Sequence, residues 1–182
     1  MKKGKIPMKK HGLRIQILSL TAAVPLALAT LPARADFTFT DGGKPAPAAE
    51  LTKFFSGITW QWPCKSCGAY FAPDGNITWI WNDKDGVQIG HGTWTAKEGA
   101  ICWTTKVTTK SGVTDKGENC TAAKFGPGTD GKSKAKAALG LEKGDKSGFF
   151  WAWQDKMVWK EFKKGDQITA TAAKLEAGLA KK

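Results

Sequence analysis

The chain is nearly without arginine. Its only two, Arg14 and Arg34, fall within the first 35 residues, so every later cation is a lysine. Arginine grips phosphate and carboxylate with a planar fork, whereas lysine offers a mobile point charge. The shortage argues against specific recognition of nucleic acid. Histidine is as scarce, with His11 and His91 the two in the chain. A lone imidazole without a nucleophile motif reads as structural rather than catalytic. There is no G-x-S-x-G, H-E-x-x-H or glycine-rich phosphate loop. The carboxylates fall mostly in turns, which leaves no pair for glycosidase-like chemistry. No catalytic residue, cofactor or metal is assigned on this basis.

Long apolar runs are also missing, apart from one near the start. Lys2, Lys3, Lys5, Lys9, Lys10 and Arg14 form a basic head, and an apolar stretch from Ile15 to Leu31 follows it. Ala33-Arg34-Ala35 then presents small residues where a signal peptidase reads, which predicts a signal peptide over 1–35 cleaved before Asp36. Either Met1 or Met8 would serve as the start. No cysteine follows the cleavage point and no Arg-Arg pair precedes the run, so the expectation is a periplasmic or secreted protein, exported unfolded and without a lipid anchor. No transmembrane span remains after the signal is removed. Seven of the 28 basic residues leave with it, so 21 lysines face 16 acidic groups, a net charge of about +5. That is mild for the 147 residues left of 182, and a diffuse lysine surface of this size serves solubility.

Tryptophan and cysteine are what this chain does have. All nine tryptophans and all four cysteines lie beyond the signal. Four cysteines in an exported domain point to disulfides. Residues 36–47, DFTFTDGGKPAP, read as a flexible lead-in. Ala48 to Ser56 reads as a short helix stopped by Gly57, which suits the left-handed position after a helix end. From Ile58 the apolar residues alternate: Trp60 with Trp62, then Ile77, Trp79 and Trp81, then Ile101, Trp103 and Val107. Alternation is the period of a strand. Pro73-Asp74-Gly75, Asp83 to Gly86 and Lys97-Glu98-Gly99 supply turns between them, and Asp83 to Gly86 lacks the ligands of a calcium loop. Turns every 8–12 residues predict an antiparallel meander, which hides its edges by curling into a barrel, here lipocalin-like.

Residues 126–148 break the rhythm. They are rich in Gly and Lys, and they read as a mobile insert with at most a helical turn at Ala135 to Leu141. One β-domain is therefore expected over 48–166, with a helical or frayed tail over 167–182 capped by Asp166.

Cys64-Lys65-Ser66-Cys67 has the C-x-x-C spacing of thiol-disulfide enzymes. Those seat the first cysteine at a helix start; here the motif joins two strands, so a structural disulfide is expected. Cys102 and Cys120 lie on neighbouring strand patterns, and a bridge between them would contribute about 3 kcal/mol in the chain-entropy model. The tryptophans exceed what a small core needs. Ile77 to Trp81 and Phe149 to Trp153 are apolar on both faces, which makes Trp79, Trp81, Trp151 and Trp153 candidate ligand-binding residues, able to stack on sugars or hold an apolar ligand.

Gly57-x-x-Trp60-x-Trp62, Gly68-Ala69-Tyr70-Phe71-Ala72-Pro73-Asp74-Gly75, Gly92-Thr93-Trp94, Cys102-Trp103 and Cys120 together make a distinctive set. In these the chain resembles the bacterial secreted proteins catalogued as domain of unknown function 995, over roughly residues 50–166. The Cys64–Cys67 loop, the lysine-rich insert and the tail depart from that pattern. The resemblance implies an exported domain with a Cys102–Cys120 disulfide and supplies no catalytic residue. The expectation is a non-enzymatic binding protein for an envelope glycan or small apolar ligand. The alternative is an interaction module for an envelope protein, engaged through the lysine-rich segment.

Overall fold

A computed structural model of the chain describes residues 37–129, 134–143, 149–154 and 157–180. The signal segment expected over 1–35 lies outside them, as do 130–133 and 144–148 of the lysine-rich segment. Among the described residues twelve strands form one antiparallel sheet, and two helices pack on it. The strands that matter for the argument are β3 (Ile58–Gln61), β4 (Gly68–Phe71), β5 (Asn76–Asp83), β6 (Gly86–Lys97), β7 (Ala100–Thr109), β8 (Gly112–Thr129), β9 (Lys134–Glu142), β10 (Phe149–Gln154), β11 (Met157–Val158) and β12 (Phe162–Lys164). Each strand from β3 to β10 pairs with its successor, and β12 returns to pair with β3. Residues 159–161 thus carry the chain from one sheet edge to the other. That linker bonds to both edges: the Gln61 amide donates to the Glu161 carbonyl at 2.7 Å on the β3 side, and the Trp159 amide to the Ala152 carbonyl at 3.2 Å on the β10 side. The result is a nearly closed, up-and-down barrel of the expected lipocalin-like kind.

The alternating apolar residues point inward as their period requires. Trp60, Ala69, Phe71, Ile77, Trp94 and Ile101 form one buried cluster with Leu51 and Phe55 of helix α1 (Ala48–Phe55). The Phe55 ring sits 4.7 Å from that of Phe71, and Phe54 lies edge-on to Phe162 at 5.3 Å. Full burial of Leu51 and Phe55, at about 1.5–3 kcal/mol each, anchors α1 over the end where β3 begins and β6 finishes. Gly57 ends the helix at φ +77° and donates its amide to Phe71 across the first turn into β3.

Two expectations fail. The lead-in is not a loose tether: strands β1 (Thr38–Phe39) and β2 (Lys44–Pro45) both pair with β8. The reason is the length of β8, which runs past the last β7 pair at Ala100–Ala122 and leaves an edge to be covered. Phe37 and Phe39 then bury themselves against Ala135 and Ala138. The described residues of the lysine-rich segment are not a loop either. Its residues 134–142 are β9, an interior strand between β8 and β10. Ala135, Ala138, Leu139 and Leu141 are all buried; small side chains fit a crowded interior where composition alone reads as disorder.

The two-faced apolarity of β5 has a physical explanation. Ile80 and Ile89 face outward and are fully buried by Ile168 and Ala172, the latter on α2 (Thr169–Leu179). The Asp166 carboxylate accepts from the amides of Ile168 and Thr169 at 2.8 and 2.9 Å, the expected cap. Partial burial pushes that carboxyl up, but the two amide bonds outweigh it and hold it below the ordinary value. His91 bonds Thr78 through Nδ1 at 3.1 Å and Glu176 through Nε2 at 3.0 Å, tying α2 to the sheet. Both disulfides are formed, Cys64–Cys67 in the β3–β4 loop and Cys102–Cys120 across β7 and β8. No helix among the described residues is long and apolar enough to cross a membrane.

Candidate functional site

At the mouth opposite α1, where β3 and β5 end, the barrel opens into a basin of about 940 Å³. Its aromatic wall is Trp60, Trp62, Trp81 and Trp103. Trp60 is the deepest of these, 9 % exposed and stacked on Phe162 at 5.6 Å. Trp62 stands edge-on to Trp60 at 6.1 Å and to Trp81 at 5.7 Å. Trp81 reaches the rim, 36 % exposed. Exposure of so large an apolar ring at a concave surface marks a binding wall more often than a packing error.

The chain holds these rings in place by identifiable devices. Trp62 closes β3 just before the cysteine loop. Its amide donates to the Cys67 carbonyl at 3.1 Å and the Cys67 amide to the Cys64 carbonyl at 3.2 Å. The Cys64–Cys67 bridge locks that turn, in which Ser66 takes φ +62°. Trp79 lies flat on Gly90, where a Cβ would intrude into the indole. Its Nε1 donates to Thr105 Oγ1 at 3.3 Å. Trp81 Nε1 donates to Asp83 Oδ2 at 2.7 Å. That bond, with the amide of Asp85, holds the Asp83 carboxyl below its ordinary value. By contrast, the indole N–H groups of Trp62 and Trp103 have no hydrogen-bond partner among the described residues.

Charges of both signs ring the basin. Glu142 and Lys143 stand on one bank at the end of β9, while Lys160, Glu161 and Lys163 stand on the other, near β12. Gln61 and Asn119 add amides. Trp103 and Asn119 continue into a shallower recess of about 440 Å³, lined by Trp79, Thr105 and Lys116 to Glu118. The arrangement combines apolar faces with donors and acceptors around a wide opening.

The four tryptophans singled out from sequence do not converge. Trp81 lines the basin and Trp79 the adjoining recess. Trp153 faces a different cavity, near α1, stacked on Phe125 at 6.0 Å. Trp151 pairs with Gly140 in β10, and its side chain lies outside the described residues. Trp60, Trp62 and Trp103 were the missed members. Trp60 and Trp62 share a strand face in sequence, but the β3–β4–β5 register, with Gln61 opposite Gly68 and Gly68 opposite Ile80, is what brings them to Trp81 at one mouth. Among the described residues one group gathers three metal-type donors, Cys102, Cys120 and Glu118. The two sulfurs are bonded to each other, so neither is a thiolate ligand.

A family model described as "Protein of unknown function (DUF995)" matches residues 17–124. No curated protein and no solved structure matches the chain.

Proposed function

Because the chain belongs to the DUF995 family, whose description assigns no activity, we propose a function from the site itself: a non-enzymatic binding protein for an envelope glycan. The observation that carries it is the wall of Trp62, Trp81 and Trp103 around one open basin with lysines, carboxylates and amides on its rim. Sugar rings present apolar C–H faces and equatorial hydroxyls. Indole faces take the first, and rim amides and carboxylates take the second. A wholly apolar ligand would use the indole faces alone and displace water from the rim amides of Gln61 and Asn119 without replacing its hydrogen bonds. The two disulfides support folding in an oxidising compartment outside the cytoplasm, where such glycans are found.

The test is titration with chito-oligosaccharides and solubilised cell-wall glycan, followed by calorimetry. Trp62→Ala should weaken the tightest interaction about tenfold or more, as loss of an aromatic anchor does. A folded Trp62→Ala, Trp81→Ala double variant that binds every tested glycan as the parent does would refute the reading. The alternative of a protein-interaction module draws less support, because residues 134–142 of the segment meant to engage the partner are an interior strand.

A further inference from the structure

The cavity at the α1 end has a different chemistry. It measures about 310 Å³ and is bounded by Phe54, Ile58, Phe125, Leu139, Trp153 and Val158. Phe125 and Trp153 stack nearly parallel, 17° apart, and make a flat wall. Val158 at the rim is 46 % exposed, one of three large apolar side chains left so among the described residues. Among the described residues the charged ones at this cavity are Glu50 and Lys53, both exposed on α1. They are three positions apart, so they share a helix face, and no ion pair joins them among the described residues. The buried Trp60 and Phe162 separate this cavity from the tryptophan basin.

We propose that this cavity binds a single-chain amphiphile with a zwitterionic headgroup. The walls are mostly apolar side chains, so the part that enters is a hydrocarbon chain. At the small end of the ligand-site range of about 300–1,000 Å³, the volume suits one chain and not two. Lys53 and Glu50, opposite in sign and side by side at the opening, match a head carrying both charges. The site is independent of the glycan basin, and neither assignment depends on the other.

Calorimetric titration of the folded protein with alkylphosphocholines, each below its micelle-forming concentration, tests this. From an eight- to a ten-carbon chain the affinity should rise about fourfold per added methylene, then level off once the cavity is full. Leu139→Trp should abolish the interaction by filling the space. Since that buried site risks misfolding, Val158→Trp at the exposed rim is the second variant, with a loss of about tenfold expected. Lys53→Glu should weaken phosphocholine binding, and dodecyl maltoside should bind more weakly than dodecylphosphocholine. Trp62→Ala should change nothing. No saturable binding, or binding that Val158→Trp leaves intact, overturns the site. Equal affinity for the maltoside overturns the headgroup assignment.

Discussion

The two ends of this barrel are built from the same aromatic stock and put it to opposite uses. At the α1 end Phe55, Phe71 and Trp94 are buried, and the Trp94 Nε1 is satisfied by the Ala72 carbonyl at 2.9 Å. At the other end Trp62 and Trp103 keep their N–H groups without partners among the described residues, and Trp81 stands at a charged rim. What separates the two sets is cover. A helix with two fully buried anchors, Leu51 and Phe55, covers the rings at one mouth and leaves the cavity beside Phe125 and Trp153 open at its flank, and no helix among the described residues covers the other. Rings that share a strand face can therefore be core or binding wall according to where along the barrel they stand.

Phe55→Ala should be the severest break in this contrast. Removing a fully buried ring that α1 uses as its anchor should cost about 3–5 kcal/mol, read by urea unfolding, while glycan affinity of the folded fraction stays put. Loss of both ends together would show that they are one cooperative unit with no division of labour. The disulfides come next. Cys102–Cys120 spans 18 positions and Cys64–Cys67 spans 3, so the chain-entropy model assigns about 3 and about 2 kcal/mol to them. Replacing the first pair with serine should mainly lower stability. Replacing the second should lower it less but loosen Trp62, with a matching fall in glycan affinity. Gly90→Ala should push Trp79 off the β6 backbone at about 1–3 kcal/mol, with altered tryptophan fluorescence as the sign.

The smallest effect belongs to Asp166. Its carboxyl is held low in the folded state, so its contribution is complete above the unfolded value near 3.9 and fades as pH falls through the lower folded value. Asp166→Ala should cost about 1 kcal/mol at neutral pH and much less under strongly acid conditions, with helical ellipticity and urea midpoints as the measures. An equal cost at both pH values would contradict the capping role.

Much of this fold was legible because its signals are local. Alternation marked β3, β5 and β7, turn residues marked the hairpins, and Gly57 marked the end of α1. The failures were non-local. Thr38–Phe39 and Lys44–Pro45 are strands only because β8 outruns β7. Residues 134–142 are a strand because small side chains fit between β8 and β10, a condition that composition does not reveal. The site was half legible for a related reason. Period tells which face Trp79, Trp81 and Trp153 share with their neighbours, but strand order decides which mouth each strand reaches. That is why Trp153 lies beside Phe125 and why Trp60, Trp62 and Trp103 went unassigned.

The central claim is that the uncovered mouth binds glycan through its indoles. Its most direct test is the two-dimensional amide and indole N–H spectrum of the folded protein during titration with solubilised cell-wall glycan. The expected result is saturable movement of the Trp62, Trp81 and Trp103 indole signals, with that of Trp94 unmoved and the movement lost in Trp62→Ala. Unchanged indole signals at saturating glycan, or shifts as large at Trp94 as at the mouth, would contradict it.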